Sequence, residues 1–447
     1  MMSNKIQPRT ARGFRDFLPA EMLKREYVIK TVREVFELYG FEPLQTPVIE
    51  LNETLYGKYG EDAENLIFSA KHGRSDKDEL SMRYDLTVPL ARVVAQYENQ
   101  FNFPFKRYQI APVFRGERPQ KGRYREFYQC DVDIVGVADM SADAEIVAVK
   151  VRALRQLGFK QFTVKINHRR MLTAIGQYSG VPDDQLADLY RSVDKFDKIG
   201  ADGVQKELEA RGIAPSVVSR MMKLITEQRS GEANLDYLDN ILGNLPEAQT
   251  SLNDLRQLAE NLDDLGVSAE FYDFDLTMVR GLGYYTGPIY ETIITEPNLG
   301  SVTGGGRYDD LIGLFRRESL PTTGGSLGIE RIIDLMDILN LYPAEIGGTV
   351  VQVYVTVFDE NTKRESARLA TQLRDAGINT ELDMQGKKLG KQFNHADKKG
   401  IPLVAVIGPD EVTQGVVKLK RLKDGEEISV PRADVAEHVQ AFLTARS

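Results

Sequence analysis

The sequence predicts an α+β fold: a largely antiparallel sheet divided by a helical insertion, followed by a separate small α/β domain. Three observations predict it. Short β-rich runs ("RYQIAPVFRGE", "YREFYQCDVDIVG", "IYETIIT") recur without helical crossovers between them. Residues from about 167 to 266 carry helical periodicity and almost no strand signal. The last hundred or so residues alternate strand and helix.

Taken in order, "KREYVIKTVREVFELYG" places Val28, Val32, Val35, Phe36 and Tyr39 on one helical face, and Gly40 suits the stop. "FEPLQTPVIE" follows with two prolines, which fits an edge or interface strand. The β-rich runs give the sheet. "DDQLADLYRSVDKF", "VVSRMMKLITEQ" and "SLNDLRQLAENLDDLG" are amphipathic helices of the insertion. The sheet resumes at "FYDFDLTMVRGLGYYTGPIYE" and ends in the helix "GIERIIDLMDILN". "LYPAEIGG" reads as a linker. After it come the strand "TVVQVYVTVF", a helix stopping at Gly377, a basic segment, and the strands "LVAVIG" and "VVKLKRL". The expected boundaries are 1–166 and 267–342 for the two parts of the sheet domain, 167–266 for the insertion and 348–447 for the last domain.

The 447 residues are 42% hydrophobic, ample for two or three domains at roughly 100–200 residues each. No apolar run approaches the roughly 18 residues of a membrane span, and "MMSNKIQPRTARGF" lacks the apolar core of a secretory signal. The single cysteine, Cys130, excludes an intrachain disulfide and a cysteine-based zinc site. A reducing, cytoplasmic location without a membrane partner is expected. The net charge of −9 argues against indiscriminate nucleic-acid binding, so any such partner must be held by local basic patches.

Several chemistries are excluded. There is no GxxxxGK[ST] loop, and "GGGRY" at 304–308 is not a dinucleotide fingerprint. The histidines (72, 168, 395, 438) lack metal-ligand spacing, so no resident metal is expected. Cys130, alternating with polar neighbours on a strand, reads as core. What stands out is "FRGERPQKGRYREFYQCDVDIVG", with arginines at 115, 118, 123 and 125 set among apolar and aromatic residues. Strand alternation puts Arg115 and Glu117 on one face, and Phe127, Gln129, Asp131 and Asp133 on one face of the next strand. Guanidinium groups grip phosphate oxygens bidentately and stay charged at any working pH. A solvated hairpin explains a lone arginine pair better than this combination, which suits phosphate, adenine and an amino group together. Two more clusters, "VRGLGYYTGPIYE" with "GGGRYDDLIG" and "GGSLGIERIIDL", bring glycines that allow close approach, tyrosines, Arg280 and Arg331.

These segments carry a resemblance. "FRGERPQKGRYREF" resembles motif 2 of class II aminoacyl-tRNA synthetases, "GSLGIERI" motif 3, and the first helix with "GFEPLQTPVIE" the dimer-forming motif 1. "RGLGYYTGPIYE" and "GGGRYDDL" resemble the two motifs peculiar to the histidyl-tRNA synthetase family, and "KLGKQFNHADKKGIPLVAVIG" its anticodon-binding module. "INHRRML" and "SVDKFDK" look like the eukaryote-type branch. The resemblance implies histidine activation by ATP and transfer to histidine tRNA by a homodimer, with Mg2+ carried on the ATP and no tightly held cofactor.

Residue by residue, it implies that Arg115 clamps the α-phosphate and that Arg123 and Arg331 hold the β- and γ-phosphates. Glu117 accepts from the adenine amino group and Phe127 stacks on the ring. Asp85, Thr87 and Gln129 hold the histidine α-amino group, with Leu86 adding backbone. Asp133, Tyr285 and Tyr308 surround the imidazole beside Tyr284. Arg280 and Arg115 are the catalytic pair and both also bind the histidine, Arg280 reaching the carboxylate and the α-phosphate. Gln120 and Arg125 fit the tRNA acceptor end, and Lys387, Lys388 and Lys391 the anticodon side. One position departs from the family: Gly283 stands where an acid is usual, and a positive φ there would suit glycine. The rival readings are a regulatory paralogue or a sensor domain. The first generally lacks the last domain and the histidine motifs, and the second needs an appended signalling module.

Overall fold

The computed structural model describes residues 6–59, 64–73, 79–120, 122–193, 195–279, 283–344 and 346–444. Contacts divide the chain into two compact units, Met1–Asp16 with Val28–Tyr342 and Phe17–Tyr27 with Pro343–Ser447.

The helix Pro19–Leu38 buries Val28, Val32, Val35 and Phe36, the apolar stripe its spacing requires. Gly40 follows at φ +76, the left-handed turn that ends it. The next segment divides between two sheets. β1 (Glu42–Pro43) is an edge strand of the main sheet, where proline's missing donor is harmless. β2 (Ile49–Leu51) joins β3 (Ser69–Ala70) and β4 (Leu80–Met82) in a small sheet.

The main sheet continues with β5 (Phe105–Phe114), β6 (Glu126–Val135), β7 (Thr163–His168), β8 (Tyr272–Phe274), β9 (Pro288–Ile293), β10 (Thr303–Arg307) and β11 (Thr322–Gly328). Its order is β1-β5-β6-β11-β10-β9-β7-β8. The pairings are antiparallel except at the two edges, where β1 joins β5 and β7 joins β8 in parallel. A parallel pair needs a crossover, and the crossover between β7 and β8 carries the helices from Arg169–Ser179 to Pro246–Asp264. These bury their own core, with Met171, Val218, Met221, Leu235, Leu252 and Leu255 almost fully enclosed. The helix Ser141–Gln156 packs on β11 and β10 of the main sheet.

Cys130 is a buried core residue. His168 is enclosed too, capping the helix Arg169–Ser179 and bonded to Asp254 and Ser251.

In the second unit β12 (Val353–Val355), β13 (Thr380–Leu382), β14 (Leu403–Val406), β15 (Val416–Arg421) and β16 (Glu427–Pro431) form a sheet in the order β13-β12-β14-β15-β16. Its first three strands are parallel, as α/β alternation demands. The helices Lys363–Asp375 and Val435–Thr444 share a core with it around Val355, Leu369, Leu373 and Leu419.

Candidate active site

Two cavities open side by side on the main sheet. The first, about 230 Å3, is lined by Asp85, Thr87, Gln129, Asp131, Asp133, Tyr284, Tyr285, Glu291 and Tyr308, over a bare strip of Gly304, Gly305, Gly324 and Gly325. The second, about 200 Å3, is lined by Arg115, Glu117, Arg123, Phe127, Glu330 and Arg331; Ser301 borders both.

In the first cavity, the register of β6 against β11 sets Asp133 opposite Gly324. Its carboxylate receives the Tyr308 hydroxyl and lies 2.7 Å from the buried Arg107 guanidinium, while Arg107 also donates to the Leu86 carbonyl (3.2 Å). Burial pushes the Asp133 carboxyl up despite Arg107; Asp131, two residues along the same face, is pushed to about 7 by burial and by Asp133. Burial likewise raises the Tyr284, Tyr285 and Tyr308 phenols, so all three stay protonated. Their rings pack edge to face, with centroids 5.0–6.5 Å apart.

Asp85 sits where β4 turns into the helix Thr87–Gln96. Its Oδ1 accepts from the Val88 amide (3.1 Å) and the Tyr59 hydroxyl (2.9 Å). Arg83 pins the turn by donating to the carbonyls of Thr46 and Pro112 (both 2.8 Å). Asp85 Oδ2 and Gln129 Oε1 are buried, yet neither takes a hydrogen bond from the described residues. Gln129 spends its amide on Asp131 and Ser326. Two acceptors left open in one cavity call for a ligand with several N–H donors, because a buried unsatisfied acceptor costs about 1–3 kcal/mol.

The second cavity has the opposite character. Arg115 donates to the Tyr84 carbonyl (3.1 Å) and stacks between the Tyr84 and Phe127 rings, 4.4 and 5.1 Å away. Arg123 faces Glu117 (3.0 Å), and Arg331 donates to the Ser301 carbonyl. The Phe127 ring, three guanidinium groups and two carboxylates suit a planar base carrying phosphates.

The expected residues thus fall into two groups, with exceptions. Leu86 stays out of the first cavity: its side chain packs with Ala111, Val113 and Phe127, and its carbonyl is taken by Arg107. Arg115, expected at both ligands, lines only the second cavity. Arg125 lines neither; its Nε donates to the Glu117 carbonyl (3.1 Å), which fixes the loop. Gln120 is exposed and pairs with Arg123 through backbone bonds (2.9 and 3.0 Å). Arg280 lies outside the described residues. Gly283 does not adopt the positive φ that glycine would permit there. Lys387, Lys388 and Lys391 are exposed in the second unit, and 387 and 391 border a cavity there with Tyr354, Asp383 and His395.

Arg107 and Lys150 escaped the sequence reading, although both are fully buried at this site. Arg107 was within reach: counting back from the loop, the hairpin pairs Phe114 with Glu126 and therefore Arg107 with Asp133.

The family model described as histidyl-tRNA synthetase matches residues 13–332. The chain belongs to this family. A second model, an anticodon binding domain, matches residues 352–442. The histidine–tRNA ligase of Aeropyrum pernix is 42% identical over 98% of this chain and 99% of its own. That of Cytophaga hutchinsonii is 40% identical over 95% and 97%. The crystal structure of histidyl-tRNA synthetase from Nostoc sp. PCC 7120 superposes with a TM-score of 0.87 at 32% identity, covering 98% of this chain and all of that one. The architecture is therefore that of a class II synthetase with a C-terminal anticodon-binding domain. These histidyl-tRNA synthetase relatives are archaeal and bacterial, and the eukaryote-type branch finds no support among them.

Proposed function

We propose that this chain ligates L-histidine to the 3′ end of histidine tRNA through a histidyl-adenylate. The observation that carries the reading is the pairing of a carboxylate-lined cavity, holding two open acceptors, with an arginine-lined cavity next to it.

The α-ammonium of histidine satisfies Asp85 Oδ2 and Gln129 Oε1, with the Thr87 hydroxyl beside them. The imidazole enters among Tyr285, Tyr308 and Asp133, where a ring N–H meets an acceptor that an apolar side chain would leave unpaired. Sites of this kind discriminate by roughly 10⁴–10⁵. Adenine lies on Phe127 with its amino group toward Glu117, and the phosphates meet Arg115, Arg123 and Arg331. Mg2+ arrives with ATP and neutralises phosphate charge.

A histidine carboxylate oxygen attacks the α-phosphorus, forming the mixed anhydride as the bond to the β-phosphate oxygen breaks and pyrophosphate leaves. The nucleophile is already ionised near neutral pH, so no general base is required. The chain's own contribution is alignment and cancellation of charge, by Arg115 and by Arg280. A ribose hydroxyl of the tRNA 3′ end then attacks the histidyl carbonyl, its proton passing to a phosphate oxygen of AMP, which departs with the bonding electron pair.

Gln120 and Arg125 serve the acceptor end, and Lys387, Lys388 and Lys391 the anticodon side. Dimerisation uses the segment from Tyr27 to Glu50. Leu38, Val48 and Ile49 on and beside it are exposed, and a symmetric partner would cover them. The setting is cytoplasmic; among the described residues no helix is long and apolar enough to cross a membrane.

Arg115→Ala tests the assignment. It should lower histidine-dependent ATP–pyrophosphate exchange by about 10²–10³ while melting normally. Near-wild-type exchange in a folded variant would remove Arg115 from the mechanism.

A further inference from the structure

The residue that the proposed chemistry leaves unused is Lys150. It lies in the helix Ser141–Gln156, is fully buried, and donates to the Gly304 carbonyl (3.0 Å) with its ammonium 4.4 Å from the Tyr290 ring centroid. Gly305 and Gly325 are register partners on β10 and β11. A Cβ on either would stand 2.8 or 2.4 Å from Lys150 Nζ, whereas a Cβ on the adjacent Gly324 would meet Asp133 Oδ1. Neighbouring strand residues point to opposite faces. Lys150 therefore approaches the first cavity from behind, with only glycine backbone between it and the carboxylates.

We infer that Lys150 is a positioning residue of this cavity: its ammonium, seated behind the glycine strip, holds Asp133 in the ionised form that accepts from a histidine ring. The inference rests on the histidine reading of the cavity. The groups that face Lys150 are Asp131 and Asp133 from β6 and Tyr290 and Glu291 from β9, with Arg107 of β5 beyond the two aspartates and Asp143 on its own helix bonded to Tyr290. Burial lowers the Lys150 ammonium to about 7 and raises Asp131 to about 7, with Asp133 and Asp131 pulling the lysine back up. The charges thus sustain one another, and the group titrates as a unit. Loss of the lysine charge leaves Asp133 protonated to higher pH, where it no longer serves as an acceptor.

The test is the Michaelis constant for histidine in ATP–pyrophosphate exchange between pH 6 and 9, for wild type and Lys150→Met. The variant should melt no lower than wild type. Its Michaelis constant for histidine should rise about tenfold at pH 7, with the pH midpoint moved up by about one unit and the constant for ATP unchanged. An unchanged midpoint and an unchanged histidine constant in a folded variant would reduce Lys150 to packing and overturn the proposal. Wild type alone supplies a second readout: inhibition by triazolylalanine, whose ring stays neutral over this range, should strengthen with pH through neutrality. A flat profile overturns the proposal even where Lys150→Met does not fold. Absence of any histidine-dependent exchange in wild type would instead sink the functional reading beneath it.

Discussion

Asp133 and Gly324 face each other across β6 and β11 so closely that a Cβ on Gly324 would stand 1.9 Å from Asp133 Oδ1. The carboxylate occupies the space a side chain would need, so the glycine is part of the cavity's shape. Gly324→Ala should displace Asp133 from Tyr308. Overpacking of this kind costs about 1–3 kcal/mol of stability. A misplacement near 1 Å costs about 10² in turnover. Steady-state exchange should show the loss in histidine kinetics with the ATP constant preserved; equal loss for both substrates would point to general collapse.

Asp131 gives a pH dependence with a defined sign. Its carboxyl is raised from the ordinary value to about 7 by burial, so folding favours its protonated form. The stability contribution is complete below the unfolded pKa of about 4 and is lost as pH rises toward 7. In the ligand-free protein, Asp131→Asn should match wild type near pH 4 and melt higher above pH 7. A difference that is constant with pH would refute the assignment.

Gly283 stands where an acid is usual in the family, and the structure simplifies its test. Its φ is outside the left-handed region, and a Cβ on it would meet no atom of the described residues within 4 Å. Gly283→Asp should therefore fold and keep exchange within roughly tenfold of wild type, or about 1.4 kcal/mol of barrier. Loss of activity in both the Asp and the Ala variants would show a backbone requirement that this geometry does not contain.

Lys387, Lys388 and Lys391 are exposed in the second unit, Lys387 and Lys391 at the cavity they border with Tyr354, Asp383 and His395. Their triple alanine variant should keep histidine-dependent exchange and lose tRNA affinity. The salt dependence of binding should flatten by roughly one counterion-release unit for each phosphate contact removed. Identical affinity and slope would make these lysines ordinary solvated surface.

The legible parts of the site were those carried by contiguous patterns. Arg115, Glu117, Arg123 and Phe127 belong to one hairpin, and strand alternation puts their side chains where they can meet. Arg331 follows a glycine strand into a helix, which is again local. What escaped depends on register between distant strands. Lys150 in "AEIVAVKVRAL" looks like the solvent side of an amphipathic helix, and only the placement of Gly305 opposite Gly325 turns it inward against the sheet. The burial of the Leu86 side chain among Ala111, Val113 and Phe127 depends on such packing, and so does the hydrogen bond from Arg125 to the Glu117 carbonyl that fixes the loop. The edge strand at Glu42–Pro43 was readable because proline restricts where a strand can lie.

Histidine specificity is the central claim, and ATP–pyrophosphate exchange with each of the twenty amino acids in turn tests it most directly. Histidine alone should drive exchange, with the others lower by roughly 10⁴ or more, because Asp133 goes unpaired with a side chain that brings no ring N–H to it. Exchange driven equally well by a second amino acid, or by none, would contradict the account.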